Sequence, residues 1–73
     1  MKKSYKLVDL DCANCALKME RAISQLPGVE TASVNFLAQR MIIDFSENAD
    51  IPQIMKSVVK CIHKVEPDCE VIL

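Results

Sequence analysis

Two cysteines separated by two residues, in Asp11-Cys12-Ala13-Asn14-Cys15, are the side chains best suited to chemistry in this sequence. Where a strand ends and a helix begins, that spacing turns both sulfurs toward one point. The helix N-terminus adds positive potential that favours thiolate over thiol. Paired thiolates select soft ions, Cu(I), Zn(II), Cd(II) and Pb(II), over Mg(II) or Ca(II). They complete a near-linear Cu(I) site but fill only half of a tetrahedral zinc shell. A neighbouring side chain, water or a partner must supply the rest, so the site suits handing a metal on. Thiol–disulfide exchange uses the same spacing. The lack of Trp, the lack of Pro between the cysteines and a chain too short for a thioredoxin-like domain favour metal over redox.

Four other residues have two readings each. Asp11 either adds an oxygen ligand beside the thiolates or caps the first helix. Cys61 lies on an apolar helical stripe, where a free cysteine packs as a small hydrophobe. Cys69 is expected in the core, with a ligand role as its alternative. His63 is a solvated residue in a last helical turn or an auxiliary ligand.

The elements that must position Cys12 and Cys15 follow from the periodicity. Ser4–Leu10 reads as a strand and Asp11–Asn14 as a loop. From Cys15, residues Ala16, Met19, Ile23 and Leu26 recur at helical spacing until Pro27-Gly28. Val29–Phe36 and Arg40–Phe45 alternate as strands. The Leu37-Ala38-Gln39 link between them has no residue that specifies a turn type. Asp50 caps a second helix with Pro52 in its first turn, and Ile54, Val58, Cys61, Ile62 and Val65 share one face. Cys69–Leu73 reads as a last strand. The order β-α-β-β-α-β is the ferredoxin-like plan of the α+β class, a four-stranded antiparallel sheet with two helices on one face. Its connections place the first loop, the hairpin between strands two and three and the Glu66–Asp68 loop at one end.

Composition bounds the rest. Residues 1–73 hold one domain, since a chain this size buries only about 60% of its unfolded surface. Hydrophobic residues make up 51% and charged residues 26%, with a net charge of −1. That charge excludes a strongly basic nucleic-acid binder, and Tyr5, Phe36 and Phe45 are too few for a base-stacking platform. Lys6, Asp9 and Asp11 interrupt any signal-like apolar run, and no stretch reaches the ~18 apolar residues of a membrane span. A cytosolic location is the expectation, where thiols stay reduced.

Leu-Asp-Cys-Ala-Asn-Cys-Ala (Leu10 to Ala16), Met19-Glu20, Leu26-Pro27-Gly28-Val29 and Val34-Asn35-Phe36 resemble the heavy-metal-associated domain. That domain occurs at the N-termini of soft-metal-transporting P-type ATPases and as free metallochaperones. The resemblance implies that Cys12 and Cys15 are metal ligands in a non-catalytic module. It implies partners that are transporter domains or other metal-binding domains, met by transient docking, and a metal-bridged dimer is open to such a site. Copper-type members carry Met-Thr or Met-x before the first cysteine and a Gly-aromatic pair near the end of helix two. Here Leu10-Asp11 and Val65-Glu66-Pro67-Asp68 stand instead, which is similar to the zinc/cadmium/lead-transporting branch. The expectation is therefore the N-terminal domain of a Zn/Cd/Pb-exporting ATPase. A Cu(I) metallochaperone or copper-ATPase domain is its alternative, and a thiol–disulfide oxidoreductase a more distant one.

Overall fold

A computed structural model describes residues 1–73. The chain runs β1 (Lys2–Val8), α1 (Ala13–Ser24), β2 (Val29–Asn35), β3 (Arg40–Phe45), α2 (Ile51–Val65) and β4 (Glu70–Ile72). The four strands form one antiparallel sheet in the order β2-β3-β1-β4. Both β-α-β crossovers place their helices on the same face, giving the ferredoxin-like arrangement.

Alternation and helical periodicity supply the core. Met41, Ile43 and Phe45 of β3 and Leu7 of β1 are buried under Ala16, Met19 and Ile23 of α1 and Met55, Val58 and Ile62 of α2. Burying each of the larger aliphatic side chains contributes about 1.5–3 kcal/mol relative to exposure. On α1, Glu20 reaches across to accept from the Val34 N–H at 3.0 Å. Asp50 caps α2 through a 3.4 Å bond from the Gln53 N–H. Gly28 has a φ of +89°, and a Cβ there would lie 2.6 Å from Ile54 Cδ1, so this turn tolerates only glycine against α2.

Some boundaries differ from expectation. β1 begins at Lys2 because Lys2 and Lys3 pair with Asp44 and Ile43. It stops at Val8 because Asp9 turns into the left-handed region at φ +63°, which sends Leu10 into the core rather than along the sheet. α1 begins at Ala13, not Cys15, because Cys12 is its N-cap. β4 is shortened to three residues because the Cys69 N–H is drawn into a turn, donating to the Glu66 carbonyl at 3.1 Å.

Candidate metal centre

The Cys12–Cys15 loop is built from its own backbone upward. Cys12 sits at φ −137°, ψ 121°, extended as an N-cap must be, and its Sγ accepts the Cys15 N–H at 3.2 Å. The capping role read as an option for Asp11 therefore belongs to Cys12, and Asp11 is exposed one residue before it. A sulfur holding a helix N–H is already biased toward thiolate.

The two thiols divide one proton unequally. The Cys12 thiol falls below its ordinary value because the Cys15 side chain and backbone both bond to it. The Cys15 thiol is pushed up to about 11, first by that same bond to Cys12, then by desolvation, while Lys18 opposes the rise. The pair thus favours ionisation of Cys12 before Cys15. Binding a soft ion through both sulfurs would require Cys15 to give up its proton.

The expected clustering of three loops at this end is observed. From the β2–β3 hairpin, Gln39 bonds the backbone of Leu10. From the α2–β4 loop, the Glu66 charge adds to the rise at Cys15 and Cys69 and opposes the fall at Cys12. Glu66 caps α2, its N–H donating to the Ile62 carbonyl at 2.8 Å. Its Oε2 is buried without a hydrogen-bond partner, a costly state for a carboxylate oxygen. In the sequence Glu66 stands out only as part of the Val65–Asp68 segment that replaces the Gly-aromatic pair, not as a candidate ligand. Its position in one of the loops that the topology returns to the cysteines was the available signal.

The remaining candidates sort by burial. Cys69 is fully buried, and its thiol is pushed up by that burial and then by Glu66, Asp9, Asp11 and Glu70. Cys61 is half-buried against the core, and His63 is exposed in the last turn of α2. No three His, Cys, Asp or Glu side chains are arranged as a ready cage for a metal ion. No helix is long and apolar enough to cross a membrane.

Residues 4–64 match the family model of the heavy-metal-associated domain. A probable cadmium-transporting ATPase of Staphylococcus aureus is 41% identical over 56 residues, which are 77% of this chain and 7% of the ATPase. A probable copper-transporting ATPase, PacS of Synechocystis, is 34% identical over 57 residues, 78% of this chain and 8% of that one. The chain thus spans under a tenth of the length of these curated relatives. The solved N-terminal domain of PacS superposes with a TM-score of 0.69 at 25% identity, covering 99% of this chain and 94% of that domain. With a family match running from β1 nearly to the end of α2, this chain belongs to the heavy-metal-associated domain family and is a heavy-metal-binding module.

Proposed function

We propose that this module takes up a divalent soft metal ion, Zn(II), Cd(II) or Pb(II), in preference to Cu(I), and passes it on by ligand exchange. Cys12 and Cys15 supply the sulfurs, and a carboxylate supplies a further ligand. Asp11 and Glu66 are the two candidates for that carboxylate, and Glu66 is favoured over Asp11. The observation that carries this choice is the buried, unpartnered Glu66 Oε2, whose charge acts on both site thiols. Asp11 is exposed, and its charge figures in the raised pKa of Cys69 only. A carboxylate beside two thiolates adds a hard ligand and negative charge. Both help a divalent ion that wants three or four ligands more than they help Cu(I).

The setting for such a module is the N-terminal domain of a Zn/Cd/Pb-exporting P-type ATPase at the cytosolic face of a membrane. The similarity to a probable cadmium-transporting ATPase supports it. Metal arrives from, or leaves to, another metal-binding domain or a transporter domain by transient docking, and a metal-bridged dimer is the same exchange arrested between two copies. One pair of facts favours a Cu(I) carrier as a second reading. No third donor is preassembled, and a copper-transporting ATPase is among the relatives.

Competition titration of the reduced protein with Cu(I), Zn(II), Cd(II) and Pb(II) tests the choice. Glu66→Gln is expected to weaken Zn(II) and Cd(II) binding ~10-fold while leaving Cu(I) within experimental error. Asp11→Ala is expected to act in the same sense, by less. Equal losses for all three ions, or a larger loss for Asp11→Ala, would remove Glu66 from the site.

A further inference from the structure

The hairpin between β2 and β3 reaches the metal loop through one side chain. Gln39 Oε1 accepts the Leu10 N–H at 3.0 Å, and Gln39 Nε2 donates to the Leu10 carbonyl at 2.8 Å. The same Nε2 donates to the Phe36 carbonyl at 2.8 Å, which ties the amide to its own turn. In the turn backbone, the Gln39 carbonyl accepts the Leu7 N–H at 2.8 Å. Leu10 is thus gripped at both backbone groups by one planar amide, two residues before Cys12.

Backbone conformation marks the same spot independently. Asp9 and Gln39 are the only non-glycine residues with positive φ, at 63° and 54°. Such residues persist where the surroundings over-determine them, and they gather at functional sites. Here one lies on each side of the clamp. Asp9 turns the chain out of β1, Leu10 is buried at 2% exposure, and the loop then rises to Cys12. Without the clamp, Leu10 would lose a fixed partner for its N–H and its carbonyl together, and the left-handed turn at Asp9 would lose its support.

We propose that Gln39 is a positioning residue for metal exchange: its amide fixes the point from which the Asp11–Cys15 loop departs. The two sulfurs then stay preorganised while ligands are gained and lost. This rests on Cys12 and Cys15 being the metal ligands. It adds to that reading a hairpin residue that touches no metal, 24 positions from Cys15 in the sequence. Preorganisation of this kind sets how tightly and how long an ion is held, since outer partners that orient ligands typically change metal affinity 10–100-fold.

The test compares Gln39→Leu, which keeps most of the volume and removes all three side-chain bonds, with Phe45→Leu. Phe45 is buried on β3 at the opposite end of β1, where its N–H donates to the Met1 carbonyl at 2.8 Å. Denaturation midpoints, Cd(II) affinity and the rate of Cd(II) release to a chelator are measured for both, and for Gln39→Ala should the Leu variant not fold. Gln39→Leu is expected to lower Cd(II) affinity ~10-fold and speed release by a similar factor, while Phe45→Leu lowers the midpoint without changing either. Hydrogen exchange at the Leu10 amide should quicken in the Gln39 variants alone. Wild-type affinity and release in a folded Gln39 variant would overturn the proposal. So would an equal change in Phe45→Leu, which would make the effect one of stability. Failure of the wild-type chain to bind Cd(II), or normal binding by Cys12→Ser, would instead overturn the site beneath it.

Discussion

Cys15 and Cys69 both hold their protons more tightly than an ordinary thiol, for opposite reasons. At Cys15 the first cause is a hydrogen bond to another sulfur at a partly exposed helix start. At Cys69 the first cause is burial, and the only bond its sulfur makes is a long one to the Glu70 carbonyl at 4.0 Å. On the proposed function, the first proton is one that an arriving metal would displace, since the neighbouring Cys12 ionises more readily than an ordinary thiol. The second is locked in the core, where ionising the thiol would put a charge among apolar side chains. A raised thiol pKa therefore does not mark function by itself. The partner of the sulfur does.

The sharpest way to break that contrast is to remove each sulfur in turn. Cys12→Ser and Cys15→Ser should each lower soft-metal affinity about 100-fold or more, beyond what losing an outer partner costs, as read by competition with a chelator. Cys61→Ala and Cys69→Ala should bind as the wild type does. A Cys69 variant that lost metal binding would erase the distinction.

Proton competition gives the next effect. Because Cys15 keeps its proton to about 11, metal binding near neutral pH must release it. Affinity should then rise about tenfold per pH unit through that range, with protons liberated into a weak buffer. A pH-independent affinity would mean that the bound ion does not use Cys15 as a thiolate.

Cys69 should answer to stability instead. Cys69→Ser places a hydroxyl where burial leaves it poorly partnered, at a cost of about 1–3 kcal/mol in denaturant unfolding, with metal affinity unchanged. Cys69 also carries a smaller pH effect. Its folded value is raised, so its contribution is fully present below the ordinary thiol value of 9.0 and is lost as pH climbs through the folded value. Cys69→Val should therefore show a shallower alkaline loss of stability than the wild type, by midpoint measurements on either side of that pH.

Much of this was legible in the sequence because it follows from short-range rules. Met41-x-Ile43-x-Phe45 alternates, Ala16, Met19 and Ile23 recur at helical spacing, and Asp50 with Pro52 signals a helix start. The Cys-x-x-Cys loop and its neighbours followed from strand order. What was not legible depends on contacts between segments far apart in the chain. Gln39 carries no turn signature, and its left-handed φ is held by Leu10, 29 positions away. Glu66 reads as one acid among several until the fold buries one of its oxygens without a partner and brings its charge to bear on the thiols. The cap was read as one of two options for Asp11 because sulfur is a rare cap acceptor, and only the 3.2 Å bond from the Cys15 N–H to Cys12 reveals it.

X-ray absorption on the Zn(II)-loaded, reduced protein tests the central claim most directly, because it counts sulfur and light-atom neighbours at the metal. Two sulfurs with oxygen completing the shell are predicted for the wild type, with loss of protein oxygen in Glu66→Gln. A shell with no sulfur, or one that takes a third sulfur from Cys69, would contradict the account.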